Sequence, residues 1–142
     1  MSKVFDTDHY DSDDWAKYLV LGFLETKGYK VWVNPDRFGI DLLAERRGKK
    51  FQFEVEVKHN WHGIFFPFER IHYSARKLKF IDLDSETWFV TLNDEQDRAV
   101  FVGGDHLLLS PIIYKRTKYT ENEPFVEVDI QWGIFRTLEE GR

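Results

Sequence analysis

The stretch FQFEVEVKH, residues 51–59, alternates apolar and polar side chains at a period of two. This alternation predicts a β-strand with four apolar side chains on one face and a polar row on the other. The polar row contains Glu54, Glu56 and Lys58. One interpretation is an exposed, salt-bridged sheet face, and the other is a site that uses two carboxylates and an ammonium group together.

The composition limits the classes of protein to which the chain can belong. Its 142 residues predict a single domain over 1–142, with an acidic, flexible N-terminal segment at 1–12. Cysteine is absent, which excludes disulfide scaffolds and thiolate zinc sites. The longest apolar run, residues 18–24, is shorter than the roughly 20 residues of a membrane helix, so we expect a soluble, cytoplasmic protein. The net charge of −5 means that any contact with nucleic acid must use a local basic patch.

The hydrophobic periodicity predicts helices and strands that alternate along the chain. This order is typical of an α/β (α+β) fold in which helices flank a single mixed β-sheet. We expect helices over 15–26, 69–80 and, more briefly, 105–110, with a helix cap at 11–13, and strands over 29–33, 40–44, 51–58, 87–92, 99–102 and 125–130.

The hairpin that precedes the polar row brings a third carboxylate to the same face. A two-residue loop at Arg47-Gly48 sets Asp41 opposite Glu54, and a loop one residue later sets it opposite Glu56. Adjacent carboxylates repel one another, and a divalent cation would compensate this repulsion. Oxygen ligands suit Mg²⁺ or Mn²⁺. A lysine beside such an ion is suited to metal-assisted phosphodiester hydrolysis.

The segment Asp41-Leu42-Leu43, followed by a hairpin and then Glu56-Val57-Lys58, resembles the PD-(D/E)XK nuclease superfamily. This superfamily has a restriction-endonuclease-like αβββαβ core and includes Holliday junction resolvases and phage endonucleases. The resemblance implies that Asp41 and Glu56 bind Mg²⁺ or Mn²⁺, that the Val57 carbonyl is a third ligand, and that Lys58 is the catalytic lysine. It also implies a homodimer that acts on DNA, with RNA as the alternative substrate.

The first helix departs from the superfamily pattern at the position of the acid that completes such a site. Many members of the superfamily carry it where this chain has Lys17. Asp13 and Asp14 lie one turn earlier on the same helix face, and we take Asp14 as the substitute ligand.

Two further acidic residues have two interpretations each, and one glutamine has a single interpretation. Asp36, in the literal Pro35-Asp36 pair, is the alternative to Asp41, but its neighbours have a loop composition. Glu54 is either an additional metal ligand or a solvated residue. Gln52 is expected at the surface.

The loop after the polar row is rich in histidine and aromatic residues. His59 and His62 are interpreted as surface or substrate-facing residues. Trp61, Phe65 and Phe66 are interpreted as core or dimer-interface residues, with base stacking as the alternative.

Two basic groups are candidate contacts to nucleic acid, one on the second predicted helix and one in YKRTKY, residues 114–119. The alternative for both groups is a solvated surface. The candidates are Arg76, Lys77, Lys79, Lys115, Arg116 and Lys118.

Taken together, the sequence predicts a Mg²⁺- or Mn²⁺-dependent endo- or exodeoxyribonuclease. The first alternative is a catalytically inactive module of the same fold that binds nucleic acid or protein. The second is a metal-binding structural protein whose basic groups do not face the carboxylates.

Overall fold

The structure is a computed structural model that describes residues 12–138, with side chains from residue 14 onward. The predicted flexible segment, apart from Ser12, and the side chains of the predicted helix cap lie outside this range. The elements in chain order are α1 (Ser12–Thr26), β1 (Lys30–Val33), β2 (Leu42–Arg46), β3 (Lys49–Val57), β4 (Arg70–Ser74), a 3-10 helix (Ala75–Phe80), β5 (Glu86–Leu92), β6 (Arg98–Gly103), α2 (Gly104–Leu109), β7 (Ile112–Lys115), β8 (Glu123–Asp129), a second 3-10 helix (Ile130–Trp132) and β9 (Ile134–Thr137).

The strands form two sheets, which confirms the predicted α+β class and adds a layer that was not predicted. The larger sheet has six strands in the order β1-β2-β3-β5-β6-β9, and only the β3–β5 pair is parallel. The smaller sheet has the order β4-β8-β7 and is antiparallel. The prediction of a single sheet is therefore corrected: the mixed sheet is present, and a second sheet accompanies it.

The predicted helix over 69–80 is wrong in its first half. Residues 70–74 form the strand β4, in which Ile71 and Tyr73 are buried and pair with Val128 and Val126 of β8. Only Ala75–Phe80 is helical, and it is a short 3-10 helix. The segment RIHYS alternates at a period of two, the pattern of a strand with one buried face.

The two faces of the larger sheet are covered differently. Helix α1 packs on one face, where Val20 and Phe23 join a core that includes Phe53 and Val55 of β3. The smaller sheet packs on the opposite face, where its buried residues meet Phe89 of β5. Because Glu54 pairs with Phe89 in the parallel register, the polar row of β3 points towards the smaller sheet.

The turn between β2 and β3 has two residues, Arg47 and Gly48, with φ angles of 53° and 76°. Positive φ at both central positions is the geometry of a type I′ hairpin. The register pairs Leu42 with Phe53, and one further step places Asp41 opposite Glu54. This is the first of the two predicted registers.

No helix within residues 12–138 is long and apolar enough to cross a membrane. The longest, α1, has 15 residues.

Two glycine substitutions test this description of the turn. Gly48→Ala should lower the free energy of unfolding by about 1–2 kcal/mol, because alanine is disfavoured at positive φ. Gly22→Ala, in the interior of α1, where an added Cβ meets nothing within 4 Å, should raise it by about 0.5–1 kcal/mol. Urea denaturation followed by circular dichroism measures both changes. Equal effects of the two substitutions would contradict the positive-φ turn.

Candidate active site

Two backbone hydrogen bonds hold Asp41 against β3. The Val55 N–H donates to Asp41 Oδ2 at 2.8 Å, and the Asp41 N–H donates to Glu54 Oε1 at 3.3 Å. Each carboxylate therefore accepts from the backbone of the opposite strand. The hairpin register thus brings Asp41 and Glu54 together, and Glu56 is the next residue of β3 on the same face.

Two lysines pair with these carboxylates. The Lys77 ammonium lies 3.5 Å from Glu54 Oε2 and 3.6 Å from Glu56 Oε1, so it bridges the two residues. Lys17, on α1, lies 3.4 Å from Asp41 Oδ1 and also 3.4 Å from Asp14 Oδ1. We call Asp14, Asp41, Glu54 and Glu56 the carboxylate cluster. The helix position at which an acid was expected therefore supplies a cation that joins Asp14 to Asp41.

The electrostatics of Glu54 show that its negative charge is incompletely compensated. Burial, with a further contribution from the adjacent Asp41, raises the pKa of Glu54 to about 7, although Lys77 acts in the opposite direction. Its side chain is only 12% exposed, so the loss of hydration outweighs the single ion pair.

The two bridging lysines stay charged. Burial lowers the pKa of Lys77, but Glu56 and Glu54 outweigh that effect, and the net pKa lies above its ordinary value. The pKa of Lys17 is raised in the same way, because Asp41 and Asp14 outweigh its burial. Both ammonium groups therefore act as fixed positive charges inside the carboxylate cluster.

Lys58 follows the polar row and lies at the end of the β3–β5 pairing. Its N–H donates to the Leu92 carbonyl at 2.9 Å, and its ammonium group lies 4.8 Å from the centre of the Phe68 ring. Burial lowers the pKa of Lys58, Glu56 opposes this shift, and Lys115 adds to it. Lys58 is thus within the electrostatic influence of Glu56 and rests on an aromatic ring.

The donor chemistry of the carboxylate cluster fits a hard divalent cation, because oxygen atoms make up the whole set. Asp41, Glu56 and the Val57 carbonyl are the ligands that the resemblance implies, and Asp14 and Glu54 lie in the same cluster. Within the described residues, however, three ligand atoms lie within 4.8 Å of one another only in the group His62, Asp94 and Glu95. No three side chains of the carboxylate cluster bring their ligand atoms this close together.

That second group lies on two exposed loops. The His59 Nδ1 atom is 2.8 Å from Asp94 Oδ1, and the His62 Nδ1 atom is 3.4 Å from Glu95 Oε2. All four side chains are exposed, which agrees with the interpretation of both histidines as surface residues. The sequence contained the acidic partners in the turn NDEQD, but their proximity to the histidines depends on the β3–β5 pairing.

The aromatic loop divides into a buried part and an exposed part. Trp61 is fully buried and packs edge-on against Phe66 and Phe135, at centroid distances of 5.2 and 6.0 Å. Core packing is therefore confirmed for Trp61, and base stacking by its ring is excluded. Phe65 is 85% exposed, so stacking remains a prediction for that residue.

Two other polar residues are resolved by their environments. Gln52, expected at the surface, is only 7% exposed and donates to Thr87 Oγ1 at 2.8 Å and to the Phe80 carbonyl. The surface prediction for Gln52 is wrong, because the end of the 3-10 helix covers this part of β3. Asp36 lies in an exposed turn and accepts from the Phe38 N–H, so its carboxylate caps a loop.

The predicted nucleic-acid contacts occupy several environments. Lys77, on the 3-10 helix, faces the carboxylate cluster. The other candidates lie on the same helix and at the β7–β8 hairpin, away from these carboxylates. Their contacts are Arg76 Nε with Ser74 Oγ, Lys79 over the Phe80 ring, Lys115 Nζ with His72 Nδ1, Arg116 with Glu121, and Lys118 over the Tyr119 ring.

Comparison with known proteins identifies the architecture. A solved structure of Hjc, a Holliday junction resolvase from the archaeal hyperthermophile Archaeoglobus fulgidus, matches 87% of this chain and 91% of its own, with a TM-score of 0.58. The chain has a restriction-endonuclease-like fold. The sequence identity to Hjc is 12%, so the similarity establishes the fold alone. No protein-family model and no curated protein matches the chain.

The raised pKa of Glu54 predicts a pH-dependent stability. Because the folded protein binds the Glu54 proton more tightly than the unfolded chain, stability falls as pH rises from about 4.5 to about 7. Glu54→Gln should remove this loss and be more stable than the parent at pH 8, by about 3 kcal/mol.

Urea denaturation from pH 5 to pH 8 in EDTA measures this difference. Glu45→Gln, an exposed residue of β2, is the matched control and should track the parent. If the difference between Glu54→Gln and the parent stayed constant with pH, Glu54 would not be the titrating group.

Proposed function

We propose that this protein is a Mg²⁺- or Mn²⁺-dependent nuclease that hydrolyses phosphodiester bonds of DNA. The observation that carries the proposal is the β2–β3 register, which sets Asp41 beside Glu54 and in line with Glu56 on one sheet face. The fold is similar to that of a Holliday junction resolvase, and this similarity supports the same assignment.

In this proposal Asp41 and Glu56 hold the ion, with the Val57 carbonyl and Asp14 as further ligands and Glu54 as an additional one. When bound, such an ion supplies Lewis-acid polarisation of a phosphoryl oxygen and lowers the pKa of a bound water. The backbone N–H of Val55 orients the Asp41 carboxylate from behind. This support leaves the second carboxylate oxygen of Asp41 directed towards Lys17 and the cluster.

Lys58 is the proposed catalytic lysine. Its ammonium group is half-buried and held over the Phe68 ring, and burial lowers its pKa. A lysine with a lowered pKa gives up its proton more readily, so neutral Lys58 can accept the proton of the attacking water. The ammonium group formed in this way can then stabilise the charge that develops on the phosphate.

The substrate would be bound mainly through its phosphates. Cations on the 3-10 helix and on the β7–β8 hairpin would supply these contacts in a chain of net charge −5. A homodimer would present two such surfaces to two strands. The proposed contacts are Arg76, Lys77, Lys79, Lys115, Arg116 and Lys118.

Plasmid cleavage tests the proposal. The purified protein should nick supercoiled plasmid with Mg²⁺ or Mn²⁺ and stop in EDTA. Asp41→Ala, Glu56→Ala and Lys58→Ala should each lower the rate by about 10²-fold or more, because each removes an electrostatic or proton-transfer contribution. Glu45→Ala is the control and should cleave like the parent. The site assignment fails if Glu56→Ala and Lys58→Ala retain full activity.

A specific observation also favours a second candidate, a non-catalytic module that binds nucleic acid. Lys17 and Lys77 already pair with the carboxylate cluster, so the fold can neutralise these charges without a metal. Under this alternative the cluster is a structural ion-pair network. The basic surface would then be the functional part of the molecule.

Fluorescence anisotropy with labelled duplex, junction and single-stranded DNA, and with RNA, distinguishes the two candidates. The nuclease proposal predicts that Mn²⁺ both strengthens binding and starts cleavage, since the ion links the cluster to the scissile phosphate. The alternative predicts equal affinities in EDTA and in Mn²⁺ with no cleavage. Under both, affinity should fall steeply with salt.

A further inference from the structure

Lys77 occupies an unusual position for a lysine. Its side chain is 22% exposed, and its ammonium group lies within 3.6 Å of two carboxylates that belong to one strand, Glu54 and Glu56. Glu54 is itself 12% exposed. A lysine in such a setting is different from a flexible surface cation, because its position is determined by the two residues that it bridges.

The contacts of the 3-10 helix with the core and with β3 hold Lys77 in this position. The 3-10 helix that carries Lys77 follows β4 directly, and Leu78 packs against the core between the sheets. At its far end, the Phe80 carbonyl accepts a hydrogen bond from Gln52, a buried residue of β3. Thus β3 anchors the helix through Gln52 and contacts its lysine through Glu54 and Glu56.

The charge and the spacing are those of a substitute cation. An ammonium ion contributes one positive charge at 3.5–3.6 Å from the carboxylate oxygens. A divalent metal contributes two charges at oxygen distances of about 2.0–2.6 Å. The two cannot occupy the space between Glu54 and Glu56 together, because the metal would draw the carboxylates inward and repel the ammonium group.

We propose that Lys77 is the built-in counter-ion of the metal-free site and that a divalent cation must displace it from Glu54 and Glu56 in order to bind. This inference rests on the proposed function, because it concerns the same carboxylates. It assigns Lys77 the role of a competing cation that sets the metal affinity. In a site whose lysine organises the ligands for the metal, removal of that lysine would weaken metal binding instead.

The test measures Mn²⁺ binding without DNA, by the loss of the free-ion signal in electron paramagnetic resonance at constant pH and ionic strength. Lys77→Met should bind Mn²⁺ about tenfold more tightly than the parent, because the metal no longer has to displace an ammonium group from Glu54 and Glu56. Lys79→Met, two residues away on the exposed side of the same helix, is the matched control and should bind like the parent. The double variant Lys77→Met/Glu56→Gln should not show this increase in Mn²⁺ affinity.

Lys77→Gln covers the case in which the methionine variant does not fold. It is neutral but keeps a hydrogen-bond donor for the carboxylates, and it should shift affinity in the same direction. Lys77→Arg keeps the charge and should stay near the parent. The inference is overturned if the neutral variants bind Mn²⁺ as the parent does or more weakly, or if Lys79→Met tightens binding equally.

Plasmid cleavage separates this inference from the proposed function. One result would reject the competition between Lys77 and the metal but support the nuclease proposal. In that case the neutral Lys77 variants bind Mn²⁺ as the parent does, the parent cleaves DNA, and Glu56→Gln does not. If the neutral variants gain Mn²⁺ affinity through Glu56 but neither they nor the parent cleaves, the competition stands and the nuclease proposal fails.

Discussion

The two-residue turn at Arg47-Gly48 determines which residues of β2 and β3 face each other, and the site and the core both depend on that choice. Because side chains alternate along a strand, a shift of one residue would move Asp41 away from the face that carries Glu54 and Glu56 and turn Leu42 out of the core under α1. The turn accepts positive φ at both positions, which matches the twist of the flanking strands. A local backbone preference thus fixes where a charged residue is buried.

Strand β3 links the two halves of the structure through its two faces. Its apolar row, with Phe53 and Val55, packs under α1, while Glu54 and Glu56 point towards the smaller sheet. Burying like charges destabilises the folded state, and the raised pKa of Glu54 is a consequence of that cost. The apolar core on the other face offsets this cost, so the site is maintained by packing that lies on the far side of the same strand.

The parts of the molecule that were predictable from sequence are those set by neighbouring residues. The alternation in residues 51–58 and the glycine at 48 were sufficient for β3, its hairpin and the proximity of Asp41 to the polar row. The position of Lys77 was not predictable, since β4 was interpreted as helix and its partner β8 lies over 40 residues later. Long-range pairing supplies that information, and no local pattern contains it.

The connection between the parallel strands β3 and β5 contains β4, whose partner β8 is made only after β5, β6, α2 and β7. While the protein is being synthesised, the larger sheet can therefore begin to assemble with β4 still unpaired. The layer against which the Lys77 helix packs closes only after residue 129 has emerged. Assembly of the candidate active site is in this way delayed until β8 has left the ribosome.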